Sequence, residues 1–210
     1  MTTLILMRHG HVEGIYPERF RGRAELPLST LGVLQAQALA HRVSVRYTPV
    51  ALYTSPLGRC IATAIPISRI TNIPSQPLMG LQDLDYGEWQ GFTHEAAEQQ
   101  WPAHYETWKA RPHLMRFPEG ESLQDLVVRT ADVVREMLLR YPDDSDQVLL
   151  MAHDSVNRAI LLQLLDQPLS AYWRLEQSPC AISEIIIDKE KIRARYINDT
   201  AHLEGLAPTH

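Results

Sequence analysis

Cysteine and long apolar runs are scarce in this sequence of 210 residues. Only Cys60 and Cys180 are present, too few for a disulfide scaffold and without the paired spacing of a zinc site. The first apolar run, residues 4–7, ends at Arg8 and is too short for a signal peptide or a membrane span. These scarcities predict an unprocessed cytoplasmic protein that does not enter the membrane.

Positive charge is also in short supply. The formal net charge is -5, whereas a nucleic-acid-binding protein would show a basic face or stripe. The apolar share of 45% and the charged share of 21% are typical of an ordinary globular protein. Since one core usually suffices at this length, we expect a single domain spanning residues 1–210.

Short, continuous apolar runs recur along the chain. Such runs are typical of strands that are buried on both faces of a sheet. A later pair of runs, turned at residues 188–190, predicts a hairpin. The predicted strands are residues 3–7, 50–53 and 148–152, followed by the hairpin strands 182–187 and 192–197.

Helical periodicity follows the apolar runs. Ser29 is expected to cap a helix with Leu31, Leu34 and Ala38 on its buried face. Pro66 is expected to end or kink the second helix, because proline lacks an N–H group. The predicted helices span about residues 30–43, 58–65, 123–141 with a capping box at Ser122 and Asp125, and 157–165.

Alternating buried strands and amphipathic helices predict an α/β sandwich of three layers, with a mainly parallel sheet between helices. Such sheets bind ligands at the carboxyl ends of their strands. Three predicted strands lead to that edge with Arg8 and His9, with Ser55 and then Arg59, and with His153. Two histidines and two arginines are therefore expected to converge there.

These side chains suit phosphate chemistry. The guanidinium groups of Arg8 and Arg59 are planar, permanently charged donors that match phosphate or carboxylate oxygens. A neutral imidazole, as at His9, is a competent nucleophile towards phosphorus and can leave again. A bound anion would also relieve the conflict between Arg59 and the dipole at its helix start.

Plainer interpretations remain open. His153 taken alone is typical of a hydrogen-bonded structural histidine, and Arg59 of a surface ion pair. His9, His11 and His153 could approach a zinc ion, but no carboxylate or cysteine stands at ligand spacing and arginines would oppose a cation. We therefore expect no metal and no organic cofactor.

Six segments stand in order along nearly the whole chain. They are L-I-L-M-R-H-G at 4–10, P-L-S-T-L-G at 27–32, Y-T-S-P-L-G-R at 53–59, L-Q-D-L-D-Y-G-E-W-Q-G at 81–91, F-P-E-G-E-S-L at 117–123 and M-A-H at 151–153. Together they resemble the histidine phosphatase superfamily, in its phosphoglycerate-mutase-like branch. R-H-G alone would be weak evidence, whereas six segments in sequence are highly specific.

The resemblance implies a role for each residue of the edge. His9 would be the phosphorylated nucleophile, Arg8 and Arg59 would clamp the phosphate, and His153 would donate a further hydrogen bond to the phosphoryl oxygens. In phosphatases of this type a glutamate protonates the leaving oxygen, and Asp83 stands at its position.

Aspartate at position 83 is a departure from that pattern. Its side chain is one methylene shorter than glutamate and its unperturbed pKa is lower. Asp83 would therefore have to be held close and partly desolvated to act as the acid. Asp85 and Glu88 are nearby substitutes, although Glu88 is also typical of an ordinary solvated carboxylate.

Two further departures concern the phosphate. The family often has an asparagine after R-H-G that binds phosphate, and Ile15 stands about there. Arg21 or Arg23 would supply the missing donor or else form a solvated basic loop, and we count Arg21 among the candidate phosphate ligands. Asp154 follows His153 where glycine is common, so Asp154 or Ser155 is expected to cap the next helix and turn away from the ligand.

The resemblance also implies one helical insertion, at about residues 88–118, that covers the site. Aromatic residues and histidines cluster in and around it, and they either bind the organic part of a substrate or form a small core that holds the insertion to the sheet. These residues are Tyr86, Trp89, Phe92, His94, Trp101, His104, Tyr105, Trp108, His113 and Phe117.

The sequence thus predicts a metal-independent phosphomonoesterase that acts on a small phosphorylated metabolite through a phosphohistidine. A phosphoglycerate-type mutase is one alternative, since it differs mainly in how well water is excluded. A non-catalytic phosphate-binding or interaction protein is the other, suggested by Ile15, Asp83 and Asp154. The natural substrate stays open, as does the choice between a monomer and a homodimer.

Overall fold

Six strands of the described residues form one sheet in the order β3-β2-β4-β1-β5-β6. The computed structural model describes residues 1–12, 17–188 and 191–206. β1, β2, β3 and β4 run parallel to one another. At one side of the sheet, β5 runs antiparallel to β1 and β6 runs antiparallel to β5. The strands are β1 Thr2–Arg8, β2 Ala51–Thr54, β3 Ser75–Pro77, β4 Gln147–Ala152, β5 Ile182–Ile187 and β6 Ile192–Asp199.

Both faces of this sheet are buried, because successive side chains of a strand point to opposite faces. In β1, Leu4 and Leu6 belong to one apolar core and Ile5 and Met7 to the other. Helices cover each core, so the predicted three-layer sandwich is confirmed. α1 Thr30–Arg46 and α2 Gly58–Thr71 cover one face, and α3 His94–Gln100, α4 Pro102–Ala110, α5 Leu123–Arg140 and α6 Asp154–Leu164 cover the other.

The buried face of α1 differs from the predicted one. Ser29 does cap the helix, accepting from the Gly32 N–H at 3.1 Å. Leu34, however, is 44% exposed, while Leu39 and Val43 are buried. The reason is that the backbone of α1 at Gly32 lies close to the backbone at His11. A Cβ on Gly32 would lie 2.0 Å from the carbonyl oxygen of His11. This contact turns the Gly32 side of α1 inward.

The sequence predicts that α2 ends or kinks at Pro66, and the helix does not end there. The helix continues to Thr71 and is closed by Asn72 in the left-handed conformation. Its buried stripe of Cys60, Ala64 and Ile67 passes beyond the proline and packs on the sheet. Tertiary packing of this stripe therefore outweighs the single hydrogen bond that Pro66 removes.

The later elements agree with the sequence more closely. Ser122 and Asp125 form the predicted capping box of α5, and β5 with β6 forms the predicted hairpin. Lys189 and Glu190 of its expected turn lie outside the described residues. In the part of the chain that the structure describes, no helix is both long enough and apolar enough to cross a bilayer.

Candidate active site

The carboxyl ends of β1, β2 and β4 bring His9, Ser55 and His153 together. Arg8 pairs with Ala152 in the sheet register, and the His9 N–H donates to the Ala152 carbonyl at 3.0 Å. The two imidazole rings lie 5.2 Å apart, centroid to centroid. Parallel pairing of β1 with β4 thus places the two histidines side by side.

His9 is 4% exposed, and the backbone fixes one of its ring nitrogens. Its Nδ1 lies 2.8 Å from the carbonyl oxygen of Gly10, which can only accept, so Nδ1 carries the hydrogen. In the neutral ring, Nε2 keeps its lone pair and accepts from Nε of Arg59 at 3.2 Å. Burial, with the charges of His153, Arg8 and Arg59, holds the pKa of His9 well below 6.5. The ring is therefore neutral at pH 7.

Arg59 is 1% exposed, and acceptors on three sides fix its guanidinium group. Besides His9, it donates to the carbonyl oxygens of Ala24 at 2.8 Å and Gly22 at 2.7 Å. Its Nη2 also pairs with Oδ2 of Asp83 at 3.0 Å. A permanent positive charge is thus held rigidly beside Nε2 of His9.

His153 is fully buried, and both of its ring nitrogens are engaged within the protein. Nδ1 lies 3.2 Å from Nη2 of Arg59 and 3.5 Å from Oδ2 of Asp83, and Nε2 lies 2.8 Å from Ser55 Oγ. Burial and the charges of Arg59 and Arg8 hold the pKa of His153 well below 6.5.

Arg8 and Arg21 each retain an unused donor. Nη1 of Arg8 donates to the Gln177 carbonyl. Within the described ranges, however, Nε of Arg8 and Nε of Arg21 are buried without any acceptor. Burial and the nearby charge of Arg8 lower the pKa of Arg21. Since an unpaired buried donor is costly, an anion that accepts from these groups would be stabilised here.

Asp83 is held by donors on both of its carboxylate oxygens. Oδ1 accepts from the Leu84 N–H at 2.9 Å and from the Ser155 hydroxyl, while Oδ2 accepts from Arg59. Behind it, Nη2 of Arg129 donates to the Asp83 carbonyl at 3.0 Å. The carboxylate is therefore fixed beside Arg59 and His153, with its Oδ2 3.5 Å from Nδ1 of His153.

A cavity of about 130 Å³ opens onto these groups. Its floor combines His9 with the arginines and Asp83, and its walls are largely aromatic. The lining residues are Arg8, His9, Glu18, Arg19, Phe20, Arg21, Gly22, Arg59, Asp83, Tyr86, His94, Trp108, Asp154, Ser155, Tyr172 and Trp173.

The model of the histidine phosphatase superfamily, branch 1, matches residues 4–200 of this chain. The chain belongs to that superfamily. It is 29% identical over 203 residues to phosphoserine phosphatase 1 of Hydrogenobacter thermophilus, covering 97% of this chain and 95% of that protein. It is also 29% identical over 180 residues to glucosyl-3-phosphoglycerate phosphatase of Mycobacterium tuberculosis, covering 81% and 78%.

The solved structure of Bacillus stearothermophilus YhfR is similar to this histidine phosphatase throughout. The TM-score is 0.88 at 27% identity, covering 97% of this chain and 100% of YhfR. The mycobacterial glucosyl-3-phosphoglycerate phosphatase has the same fold, with a TM-score of 0.87 at 24% identity and coverage of 95% and 99%. Family and named relatives together confirm the predicted phosphatase class and fold.

The substitute acids of this histidine phosphatase lie outside the cavity. Asp85 accepts from the Gly87 N–H at 2.9 Å and pairs with Arg23 at 3.0 Å, and Glu88 is exposed. Arg23 also pairs with Glu121 at 3.1 Å. Of the two arginines in the R-G-R loop, Arg21 therefore lines the cavity and Arg23 braces the loop that carries Asp83.

The expected helix cap after His153 was wrong. α6 begins at Asp154, with His153 itself at the cap position. Asp154 lines the cavity and is bound by Arg158, and Ser155 bonds to Asp83 instead of capping the helix. The parallel strand β4 ends so close to the site that the first turn of α6 forms part of its wall. Ile15, at the departure in the R-H-G loop, lies outside the described residues.

The aromatic residues of the predicted insertion divide between the two interpretations. Tyr86, His94 and Trp108 line the cavity. Trp89 instead stacks on Trp101 at 5.5 Å and packs edge-on against Phe117 at 5.2 Å. The small core that carries α3 and α4 is therefore made by Trp89, Trp101, Tyr105 and Phe117. For these residues the structure agrees with the second interpretation, a core that holds the insertion to the sheet.

His11 lies outside the cavity and has a structural partner. Nδ1 of His11 lies 2.7 Å from Ser29 Oγ, at the start of α1. Within residues 1–12, 17–188 and 191–206, no group of three histidine, cysteine or carboxylate side chains is arranged as metal ligands would be. His9, His11 and His153 thus do not form the zinc cluster considered from the sequence.

Several residues that shape the site carried no signal in the sequence. The Thr63 hydroxyl accepts from the Gly10 N–H at 3.0 Å. The backbones of Gly10 and Gly32 also lie close together, since a Cβ on Gly10 would be 2.7 Å from the Gly32 carbonyl oxygen. Arg129 donates to the carbonyl oxygens of Gly80, Gln82 and Asp83. Their partners come from distant parts of the chain, so no local spacing reveals them.

Proposed function

We propose that this phosphatase hydrolyses a small phosphate monoester in two steps through a phosphohistidine at His9. In the free enzyme Asp83 is a carboxylate paired with Arg59, so it first takes up the proton of the bound monoester monoanion. Nε2 of His9 then forms a bond to phosphorus as the ester oxygen leaves with that proton. Water then attacks the phosphohistidine, gives its proton to Asp83 and releases inorganic phosphate and His9. The observation that carries the proposal is the fixed tautomer of His9, whose Nε2 lone pair lies among buried guanidinium groups.

The arginines would bind the charge of the phosphoryl group in both steps. Arg8 and Arg21 each bring a buried Nε without a protein acceptor, and Arg59 already lies 3.2 Å from the attacking nitrogen. Preorganised donors of this kind stabilise charge that develops in the transition state. His153 would add a fourth hydrogen-bond donor.

Asp83 would serve as the general acid of the first step and the general base of the second. Its Oδ2 lies 3.0 Å from Arg59 and 3.5 Å from His153, inside the cavity that holds His9. The shorter side chain is held close by Leu84 and Ser155. Its position in the cavity supports Asp83 over Asp85 and Glu88, which lie outside it.

The size of the cavity favours a small metabolite over a macromolecule. About 130 Å³ of space is bounded by Tyr86, Trp108 and Trp173. We propose that the chain forms one domain, residues 1–210, and that its insertion at 88–118 supplies part of this wall. The named relatives act on phosphoserine and on glucosyl-3-phosphoglycerate, and phosphorylated metabolites of that kind are the substrates we propose.

Cytoplasmic location is part of the same proposal. Cys60 and Cys180 are both free and buried, as is usual where thiols stay reduced. The net charge of -5 also supports a small-molecule substrate over a nucleic acid.

A panel of phosphate monoesters tests this function by released phosphate. We expect steady release from at least one metabolite and loss of turnover by several orders of magnitude in His9→Ala, with an unchanged fold by circular dichroism. Isomerisation of a phosphoglycerate that outpaces hydrolysis would instead establish a mutase. Phosphate or vanadate binding without turnover of any ester would establish a binding protein.

A further inference from the structure

One carboxylate of the cavity wall has no part in the chemistry of His9. Asp154 lines the cavity at the first position of α6, directly after His153. Arg158 holds both carboxylate oxygens of Asp154, one through Nε and the other through Nη2 at 3.3 Å.

The Asp154–Arg158 pair is asymmetric with respect to the cavity. The Asp154 side chain is 36% exposed, whereas that of Arg158 is 10% exposed. Arg158 also donates to the Tyr172 carbonyl at 3.0 Å and lies over the rings of Tyr172 and Trp173 at 5.2 and 5.1 Å. Because the cation is anchored behind the anion, the pair presents its negative end to the cavity.

The carboxylate of Asp154 also keeps acceptor capacity. A carboxylate can accept about four hydrogen bonds, and Arg158 uses one position on each oxygen. The negative charge reaches the aromatic wall, because Asp154 adds to the effect of burial in raising the pKa of Tyr86 and of Tyr172.

The end of the cavity at His9 is dominated by arginines, although Asp83 and Glu18 also line the cavity. Arg8, Arg21 and Arg59 surround His9 and are the phosphate ligands of the proposed function. A bound ester would then place its phosphoryl group among the arginines and part of its leaving group near Asp154. A carboxylate on that part would meet like charge, whereas an ammonium or hydroxyl group would find a charged acceptor.

We propose that Asp154 is a specificity residue that favours leaving groups bearing a hydrogen-bond donor, above all an ammonium group, and disfavours leaving groups bearing a carboxylate alone. The proposal rests on the phosphatase function of His9. It concerns which monoesters are hydrolysed, not how the phosphorus bond is broken.

Three two-carbon esters test the proposal by kcat/KM: ethanolamine phosphate, 2-hydroxyethyl phosphate and phosphoglycolate. They end in an ammonium, a hydroxyl and a carboxylate group, respectively. The wild type should prefer ethanolamine phosphate to phosphoglycolate. Asp154→Asn keeps the shape and one acceptor for Arg158 but removes the charge, so this preference should fall roughly tenfold, the effect of one ion pair in a partly screened site.

Asp132→Asn is the matched control. Asp132 is an exposed carboxylate of α5 that pairs with Arg135 at 2.9 Å and lies outside the cavity. Its loss changes net charge equally and should leave the preference unchanged. The double variant Asp154→Asn, Arg158→Gln removes both charges and leaves no unpaired buried cation, so it keeps the test valid if the single variant folds poorly.

The hydroxyl ester separates the two donors. A fall for ethanolamine phosphate alone means that Asp154 recognises charge, and an equal fall for both esters relative to phosphoglycolate means that it recognises any donor; either result supports the proposal. The same preference in wild type and Asp154→Asn, or a wild-type preference for phosphoglycolate, overturns it.

The test also separates failure of the inference from failure of the proposed function. Hydrolysis of 4-nitrophenyl phosphate that is lost in His9→Ala upholds the phosphatase function whatever the three-ester result. If the wild type hydrolyses 4-nitrophenyl phosphate but shows no preference among the three esters, or hydrolyses none of them, the inference is contradicted while the function stands.

Discussion

Asp83→Asn is the perturbation that most sharply separates an acid from a structural carboxylate. Asparagine has nearly the same shape, and its amide oxygen can still accept from Leu84 and Ser155, as Oδ1 does now. Its amide nitrogen would face Nη2 of Arg59, where Oδ2 now accepts at 3.0 Å. The variant thus loses the transferable proton and also weakens one contact that positions Arg59.

Substrates with different leaving groups separate the loss of the proton donor from the weakened Arg59 contact. An alkoxide needs its proton as the P–O bond breaks, whereas a stabilised phenolate hardly does. We expect kcat on an alkyl phosphate to fall roughly a hundredfold or more, the usual size of a general-acid contribution. The loss on 4-nitrophenyl phosphate should be much smaller and should reflect only the disturbed Arg59 contact.

Asp85→Asn supplies the matched control for this experiment. Asp85 lies two residues further along the same loop, pairs with Arg23 and lies outside the cavity. We expect a similar, modest change on both substrates in that variant. Equal losses on both substrates in Asp83→Asn would refute the acid role, and a leaving-group effect in Asp85→Asn would transfer that role to Asp85.

Three further predictions follow from the same contacts. The pKa values of His9 and His153 are held well below 6.5, so the acid limb of the kcat/KM profile should lie below pH 6.5. Below that pH the unfolded chain binds more protons than the folded chain does. The free energy of unfolding should therefore also decrease as the pH falls below about 6.5. A profile that falls between pH 7.5 and 6.5 through His9 would contradict this. Arg129→Gln removes donors to three carbonyl groups of the Asp83 loop. The fall in kcat in this variant should be larger on alkyl than on aryl esters, with Arg135→Gln on the same helix as the control. Excess chelator should leave the rate unchanged, and a loss that zinc restores would favour a metal mechanism.

The sheet and the convergence of its loops follow from local patterns. Continuous apolar runs at β1, β2 and β4 identify strands buried on both faces, and parallel pairing leaves one edge for the residues that follow each run. His9, Arg59 and His153 meet there because each comes within a few residues of a strand end. Such information is local, and the sequence therefore contains it.

Where prediction failed, long-range packing decided the outcome. The buried face of α1 depends on the contact between Gly32 and the His11 carbonyl, and α2 continues past Pro66 because its stripe packs on the sheet. Asp154 was expected to turn away from a phosphate, but Arg158 four residues later fixes it in the cavity wall. None of these contacts could be weighed before the helices were placed against the sheet.

Trapping the phosphorylated enzyme tests the central claim most directly. The protein would be mixed with excess 4-nitrophenyl phosphate, quenched within one turnover in alkali, where phosphohistidine survives, and digested for peptide mass spectrometry. The account predicts one phosphoryl group, carried by Nε2 of His9 and absent from His9→Ala. Turnover without a phosphorylated enzyme, or a phosphoryl group on His153 or any other residue, would contradict it.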